Sequence, residues 1–173
     1  MFDNLEAAGQ ALAVLVAAEL GHSPPPMVLA VIPNGVPVAI PVAVALGARA
    51  QALPVERNDE GLKFGELPDV AGRVVVVIDD GVETGRVARE VARVLRAKAH
   101  DPKAEPRQPP SRLILAVPVC SREAMAGLAH LYDQIIAVDQ PMGRRALSWH
   151  FTDFDTIDET AAMGLLAAQA HAP

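Results

Sequence analysis

The sequence predicts an α/β fold with a mostly parallel sheet and helices on both faces. Residues 74–78 read VVVVI, a run of β-branched residues that is too short for a membrane span and too apolar for a surface strand. Such a run is typical of a central parallel strand that is buried on both faces. It ends at Asp79 and Asp80. After a short glycine-containing loop the apolar period changes to 3.6, which predicts a helix with Val87, Val91, Val94 and Leu95 on one face.

Composition indicates one globular domain spanning residues 1–173. The chain is 51% hydrophobic with a net charge of −6, which allows an ample core. The acidic balance and the lack of interleaved basic and aromatic residues exclude a nucleic-acid partner. Acidic residues stand near the N-terminus where a signal peptide needs basic ones, and no apolar run reaches the length of a membrane span. We therefore expect a cytoplasmic protein with no membrane partner.

The first predicted element is an amphipathic helix. Asp3 or Asn4 can cap it, and Gly21 ends it after Leu20. Its apolar positions have the spacing of one buried face, comprising Leu5, Ala8, Leu12, Leu15, Val16 and Leu20.

The second unit is a strand over residues 27–32, a turn at residues 33–35 and a helix from about residue 36 to residue 46. Pro41 lies inside that helix. Because proline lacks an N–H and clashes one turn back, we expect the helix to begin late or to kink. The helix N-terminus at Asn34 and Gly35 could hold a phosphate, although Asn-Gly is equally a common turn without a ligand.

The remaining elements alternate in the same way. A strand is predicted over residues 48–55, then a loop or short hairpin over residues 56–72, and a proline-rich exposed linker over residues 100–110. Strands over residues 112–119 and 134–138 flank a helix that Ser121 opens. Cys120 follows a strand, so we expect a small buried apolar side chain rather than a nucleophile.

The acidic loop after residue 78 has the features of a ligand site. It lies at the carboxyl end of a strand, where the next helix presents unpaired N–H groups and a positive dipole to an anion. Thr84 supplies a hydroxyl, and Gly85 permits close approach. Asp79 and Asp80 attract hydroxyl groups and hard cations such as Mg²⁺. A simple helix cap is the alternative, but it would explain one polar residue and not the acidic pair.

The string of two apolar residues, Asp79, Asp80, three further residues, Thr84 and Gly85 resembles the phosphoribosyl pyrophosphate (PRPP) signature of the type I phosphoribosyltransferases. Residues 28–46 are similar to the family's first core strand, pyrophosphate loop and following helix. Residues 113–119 and 134–139 resemble two later strands. Residues 146–154, ALSWHFTDF, resemble the C-terminal segment of a group of predicted bacterial phosphoribosyltransferases. The resemblance implies the fold of that family, with a small hood-like C-terminal segment.

The resemblance also implies an activity. It is the Mg²⁺-dependent transfer of a phosphoribosyl group from PRPP to a nitrogenous base, purine-like by preference, with release of pyrophosphate. Asp79 and Asp80 would bind the ribose hydroxyls and hold Mg²⁺ through water. Asn34 and Gly35 would hold the pyrophosphate, and the 5′-phosphate would lie on the loop formed by Val82, Glu83, Thr84, Gly85 and Arg86.

Three further side chains gain candidate roles from the resemblance. Glu83 stands where purine-using members carry an aspartate that handles a proton of the base, so it could be a general base. A solvent-facing glutamate near a helix start is the alternative. Arg57 and Lys63 lie in the segment that forms a mobile loop in the family, where cations could meet the leaving pyrophosphate. They could equally be ordinary surface cations.

The C-terminal aromatic residues have two interpretations. Three of the six aromatic residues lie between Trp149 and Phe154. Trp149 and Phe151 are candidates for stacking on a flat base. The competing interpretation is a hydrophobic clamp that packs the tail on the core or on a second subunit. We expect His150 to be a surface or hydrogen-bonded residue rather than a metal ligand.

Three departures from the family pattern leave turnover open. Pro33 stands where the pyrophosphate loop usually has a basic residue, and Arg86 and Val87 follow Gly85 where the family usually has a second hydroxyl residue, although Arg86 could replace that phosphate contact. The loop over residues 56–72 is also short. A catalytically weak PRPP- or nucleotide-binding protein with a regulatory or structural role is therefore the alternative to an enzyme. The resemblance also implies a homodimer, because members of the family are commonly dimers.

Overall fold

A computed structural model describes residues 1–21, 24–58, 61–97, 108–143 and 145–170. Five parallel strands form one sheet in the order β2-β1-β5-β6-β7, and β3 and β4 form a separate antiparallel hairpin. The strands are β1 Met27–Val31, β2 Ala50–Leu53, β3 Val55–Asn58, β4 Gly61–Phe64, β5 Val74–Ile78, β6 Arg112–Val119 and β7 Gln134–Asp139. The helices are α1 Leu5–Leu20, α2 Gly35–Ala45, α3 Arg86–Arg96, α4 Arg122–Leu128, α5 Glu159–Ala170 and a 3₁₀-helix Leu147–His150.

The strand β5 occupies the centre of the sheet and is covered on both faces. Val76 and Ile78 point into a core shared with α1, α2 and α5. Val75 and Val77 point into a second core shared with α3 and α4. This alternation follows from the period of two residues along a strand. The predicted α/β fold with a buried central strand is confirmed.

Helix α1 begins and ends where the sequence predicts. The Asn4 side chain accepts a hydrogen bond from the Ala7 amide at 2.9 Å, and Gly21 follows with a φ of 58°. The prediction that Leu15 faces the core is wrong, because this side chain is 37% exposed at the edge of the buried face. Gly9 lies in that face instead, where a Cβ would come within 2.6 Å of the Val38 carbonyl oxygen. The absent side chain lets α1 and α2 cross closely.

Helix α2 begins at Gly35 and continues through Pro41, so of the two predicted effects of Pro41 the late start is wrong and the kink stays a prediction. The helix is almost entirely apolar, and the side chains of Val38, Ala39, Val42 and Ala43 are fully buried. Tertiary packing supplies most of the stability of helices in proteins. It therefore outweighs the hydrogen bond that Pro41 cannot donate.

Two other local predictions are confirmed. The hairpin β3–β4 confirms the short hairpin predicted after β2. Ser121 caps α4 by accepting a hydrogen bond from the Ala124 amide at 3.2 Å. Residues 100–107 of the predicted linker over residues 100–110 lie outside the described residues. In the described part of the chain, no helix has the length and apolar character to cross a membrane.

Helix α5 is an element that the sequence analysis does not predict. It packs on α2 and on the edge strand β2, where Gln169 accepts a hydrogen bond from the Ala50 amide at 2.9 Å. Between β7 and α5 the chain crosses the carboxyl ends of the strands. There it covers the loops that follow β1 and β5.

Candidate active site

A cavity of about 760 Å³ opens at the carboxyl edge of the sheet. Its walls come from four segments: the loop after β1, the acidic loop after β5, the hairpin β3–β4 and the C-terminal segment around residues 146–154. Carboxyl ends of parallel strands meet at one edge of a sheet, which is where α/β proteins bind ligands. The predicted site residues Asn34, Asp79, Asp80, Thr84 and Arg86 all line this cavity.

The acidic loop is fixed by its own backbone and by β6. The Asp80 amide donates a hydrogen bond to the Asp79 carboxylate at 2.9 Å, and both side chains are half-buried in the cavity wall. The Val82 amide donates to the Val119 carbonyl at 2.8 Å, and the Val82 side chain is buried. Val82 therefore anchors the loop to β6, and this contact engages the amide that the sequence analysis assigned to the ligand.

The loop leads directly into the N-terminus of α3. Gly85 adopts a φ of 74°, the left-handed conformation that glycine tolerates best, and α3 begins at Arg86. The Thr84 hydroxyl accepts from the Arg86 amide at 3.4 Å. The first turn of a helix has backbone N–H groups without intrahelical partners. These donors, the exposed Thr84 hydroxyl and Arg86 lie together at the cavity wall, an arrangement whose chemistry suits an anion.

A second helix N-terminus meets the same loop. At Gly35, the first residue of α2, a Cβ would lie 2.8 Å from the Ile78 carbonyl oxygen and 3.2 Å from the Cα of Asp79. Only glycine permits this approach. The peptide bond between Ile32 and Pro33 before it is cis. The starts of α2 and α3 thus both lie beside the acidic pair, and Asn34 lines the cavity whereas Gly35 is buried behind it. At α2 the Val36 amide donates to the Pro33 carbonyl at 3.2 Å and Pro37 has no N–H, so these two positions offer no donor to a ligand.

Glu83 has a partner that the sequence could not reveal. Its carboxylate accepts a hydrogen bond from the amide of Leu147, the first residue of the 3₁₀-helix, at 2.9 Å. A Cβ on Gly81 would lie only 2.4 Å from the Leu147 Cδ2. Leu147 therefore lies directly on the acidic loop.

The hairpin β3–β4 forms the outer wall of the cavity. Val55, Gly61 and Leu62 line the cavity. Lys63 is exposed and lies opposite Glu56 in the antiparallel register. It is not one of the described residues that line the cavity. Arg57 pairs with Leu62 through the backbone, and its side chain lies outside what the structure describes.

The C-terminal aromatic residues pack together. The Phe151 ring is 5% exposed and lies 5.5 Å from the Phe2 ring and 4.9 Å from the Phe154 ring, centroid to centroid. Trp149 is 68% exposed. Neither Trp149 nor Phe151 is among the described residues that line the cavity, whereas Phe154 is. The packing interpretation therefore fits Phe151, which has no free face for a base, and Phe154 is the aromatic wall that the sequence analysis missed.

Two other candidates have structural roles. His150 Nδ1 lies 2.9 Å from the Asp139 carboxylate, which confirms a hydrogen-bonded histidine. Its Nε2 is buried without a partner among the described residues. Cys120 is fully buried, and burial raises the pKa of its thiol to about 11, which confirms a packed residue rather than a nucleophile.

A fully protein-coordinated metal site is absent from the described residues, which contain no group of three or more His, Cys, Asp or Glu side chains arranged around one point. Asp79 and Asp80 are nevertheless half-buried at the cavity wall. Mg²⁺ usually keeps several waters and takes one or two carboxylates together with substrate phosphates. The acidic pair therefore fits an ion that arrives with a phosphorylated ligand.

Curated proteins similar to this chain carry phosphoribosyltransferase names. A Mycobacterium tuberculosis protein, named provisionally as a phosphoribosyl transferase, is 25% identical over 120 residues, a match that covers 68% of this chain and 25% of the relative. An orotate phosphoribosyltransferase from a Nocardioides species is 41% identical over 65 residues, covering 37% of this chain and 36% of the relative. The chain thus spans about a quarter and about a third of the lengths of these relatives. No protein-family profile matches the chain.

Solved structures share its fold. A protein from Thermus thermophilus superposes with a TM-score of 0.78 at 22% identity, covering 98% of this chain and 99% of that protein. A purine phosphoribosyltransferase from Pyrococcus horikoshii superposes with a TM-score of 0.57 at 16% identity, covering 88% and 93%. The fold is that of the type I phosphoribosyltransferases, and the resemblance to this family that the acidic loop predicts is confirmed.

Proposed function

We propose that this protein, which shares the type I phosphoribosyltransferase fold, transfers the phosphoribosyl group of PRPP to a nitrogenous base and releases pyrophosphate. The observation that carries the proposal is one cavity in which the acidic pair Asp79–Asp80 lies next to the N-terminus of α3 and near Asn34 of the loop after β1. PRPP carries phosphate groups at two ends of a ribose whose hydroxyl groups lie between them. A cavity with an anion-binding helix N-terminus at α3, carboxylates beside it and the polar Asn34 side chain in the loop after β1 suits that arrangement of groups.

Each part of the cavity has a role in this proposal. Asp79 and Asp80 accept hydrogen bonds from the ribose hydroxyls. The N-terminus of α3, with Thr84 and the Arg86 guanidinium, holds the 5′-phosphate through amides and a charge-assisted contact. Asn34, at the start of α2, would face the pyrophosphate, with Gly35 bringing the helix close to the acidic loop.

The Mg²⁺ ion would accompany PRPP. Asp79 and Asp80 would hold it through water, and the remaining ligands would be oxygens of the substrate. The ion would supply charge neutralisation for the leaving pyrophosphate. This contribution matters in a loop where Pro33 stands in place of a basic residue.

The chemical step benefits from the same carboxylates. Displacement of pyrophosphate from the ribose develops positive charge at the ribose carbon in the transition state. Preorganised negative groups near that carbon stabilise the charge as it forms. The half-buried positions of Asp79 and Asp80 reduce solvent screening and strengthen this interaction.

The acceptor base would lie against the C-terminal segment. Leu147 and Phe154 line the cavity beside the acidic loop and offer apolar surface for a flat ring. A purine is our first candidate, since a fold neighbour is a purine phosphoribosyltransferase. The orotate phosphoribosyltransferase among the relatives makes a pyrimidine the competing acceptor.

We also propose that the enzyme works in the cytoplasm as a homodimer. Val14, Val44 and Met163 are 70%, 66% and 47% exposed on the adjoining helices α1, α2 and α5. No formal charge occurs from Gly35 to Gly47, although the chain carries a net charge of −6. A second copy can pair with the exposed side of α2 without charge repulsion from that helix. Sedimentation equilibrium should show a dimer that Val44→Glu dissociates and that Ala126→Glu, on the exposed face of α4, does not.

The enzyme assay measures the release of pyrophosphate from PRPP in the presence of Mg²⁺ and each of a panel of purine and pyrimidine bases. We expect base-dependent release that requires Mg²⁺. PRPP binding without release for any base would favour the alternative, a catalytically weak PRPP-binding protein. Release with a pyrimidine only would exclude the purine preference.

A further inference from the structure

The C-terminal segment, residues 146–157, is held over the cavity by side chains of the two ligand loops. At its start, Glu83 of the acidic loop accepts a hydrogen bond from the Leu147 amide at 2.9 Å. At its end, Asn34 of the loop after β1 accepts one from the Ile157 amide at 3.1 Å. The two contacts join positions that are 64 and 123 residues apart in sequence.

The middle of the C-terminal segment is anchored separately. The Phe2 amide donates to the His150 carbonyl at 2.8 Å, and the Thr152 amide donates to the Phe2 carbonyl at 2.7 Å. These contacts hold the middle against the N-terminus of the chain. They do not involve the ligand loops. His150, in the same 3₁₀-helix as Leu147, also lies 2.9 Å from the Asp139 carboxylate, and the Leu147 side chain packs against the core. Glu83 adds the hydrogen bond that ties the start of the segment to the acidic loop.

The contact with Leu147 gives Glu83 a defined chemical task. The first N–H groups of a short helix lack intrahelical partners. The Glu83 carboxylate satisfies the first of them from a distant part of the chain, and a charged acceptor strengthens such a bond. The hydrogen bond uses a lone pair of the Glu83 carboxylate. A general base needs such a lone pair to accept a proton.

We propose that Glu83 is a positioning residue, which holds Leu147 and the C-terminal segment against the acidic loop as one wall of the acceptor-base pocket. Asn34 does the same at the far end of the segment. The proposal rests on the phosphoribosyl transfer proposed above for the identity of the pocket. The hydrogen bond itself does not depend on that function.

Two conservative substitutions of Glu83 separate positioning from general base catalysis. Glu83→Gln keeps an oxygen acceptor at the same reach but removes basicity. Glu83→Asp keeps a carboxylate but shortens the side chain by one methylene, so it withdraws from the Leu147 amide. Positioning therefore predicts that Gln rescues more function than Asp, and general base catalysis predicts the opposite order.

Amide hydrogen exchange at Leu147 tests the contact directly. We expect Glu83→Ala and Glu83→Asp to speed this exchange by roughly tenfold, the effect of losing one hydrogen bond, and Glu83→Gln to restore protection. Hydrogen exchange at the Ile157 amide should likewise become faster in Asn34→Ala. The same amide should stay protected in Asn34→Asp, which keeps an oxygen acceptor at that position. Trp149, the single tryptophan of the chain and largely exposed within the segment, reports loosening through fluorescence anisotropy.

Steady-state kinetics test the role in the pocket. We expect Glu83→Ala to raise the KM for the base by roughly five- to tenfold, since one hydrogen bond that shapes the pocket is lost. Glu83→Ala and Glu83→Gln both remove one negative charge from the loop assigned to the 5′-phosphate, so the affinity for PRPP should change equally in the two variants. The difference between them in the KM for the base then reports the hydrogen bond to Leu147. Glu83→Gln should recover most of the loss.

The outcomes are distinct. A higher kcat for Glu83→Asp than for Glu83→Gln, or unchanged Leu147 exchange in Glu83→Ala, would overturn the positioning role. If the wild type turned over no base, the proposed function would fail. The exchange and anisotropy measurements would then still decide whether Glu83 holds the C-terminal segment.

Discussion

Gly35 and Asp79 lie so close that no side chain fits between them. A Cβ on Gly35 would stand 3.2 Å from the Asp79 Cα and 2.8 Å from the Ile78 carbonyl oxygen. The start of α2 therefore fixes the distance between the loop after β1 and the acidic loop after β5. This contact turns two separate strand–loop–helix units into one site.

The substitution Gly35→Ala should push the two loops apart. We expect a loss of about 1–3 kcal/mol in the free energy of unfolding, because the methyl group meets backbone that cannot move aside. Calorimetric titration should also show weaker PRPP binding. The matched control is Gly164→Ala in α5, where no atom lies within 4 Å of the new Cβ. Equal stability of the two variants in urea would contradict the close approach.

Phe151 and Trp149 should differ sharply in their contribution to stability. Phe151 is buried between Phe2 and Phe154, so Phe151→Ala should lower the free energy of unfolding by about 3–5 kcal/mol. Trp149→Ala should change it by less than about 0.5 kcal/mol, since the ring is 68% exposed. Urea unfolding monitored by circular dichroism measures both. A small effect of Phe151→Ala would restore this ring as a candidate for stacking on the base.

Asp133 should make stability depend on pH at the far end of the sheet. The Leu113 amide donates to its carboxylate at 2.7 Å and, with Arg96 at 2.9 Å, lowers the pKa of Asp133 below its ordinary value of 3.8 against the opposing effect of burial. A carboxyl whose pKa is lowered by folding stabilises the protein above its unfolded pKa, and the stabilisation disappears as the pH falls through the folded value.

We therefore expect Asp133→Asn to cost about 0.5–1 kcal/mol at neutral pH, a modest value because the side chain is 44% exposed. The difference from wild type should shrink below a pH of 3.8. Unfolding in urea at several pH values measures it, with Asp153→Asn at an exposed site as the control. A difference that persisted unchanged at low pH would exclude this linkage.

Cys120 should be unreactive in the folded protein. Its pKa of about 11 keeps the thiol protonated at pH 8, and the side chain is fully buried. A thiol reagent needs the thiolate and access to it. We expect modification only after unfolding in denaturant, measured by mass spectrometry. Rapid labelling of the native protein would indicate a thiol that is open to solvent.

Local patterns in the sequence predict much of the fold. The β-branched run of β5, the caps at Asn4 and Ser121 and the acidic loop each depend on neighbouring residues, so composition and period reveal them. Helix α5 has no such pattern: Ala162 is its single buried side chain among those described, and apolar residues occur all around it. Periodicity therefore gives no signal for it.

Contacts between distant segments explain the rest of the differences. Glu83 and Leu147 are 64 residues apart, and nothing in either neighbourhood specifies their hydrogen bond. Phe151 and Phe154 belong to one aromatic cluster in the sequence, but only the fold decides which ring enters the core and which lines the cavity. The same holds for the Val82 amide, which pairs with Val119.

The most direct test of the PRPP site is calorimetric titration of the protein with PRPP, with and without Mg²⁺, beside the double variant Asp79→Asn/Asp80→Asn. Ribose 5-phosphate and inorganic phosphate serve as ligand controls. We predict Mg²⁺-dependent binding of PRPP that the double variant loses, because the ribose hydroxyls and the ion lose their carboxylate partners. Equal PRPP binding by the double variant, or no binding by the wild type at millimolar PRPP, would contradict the account.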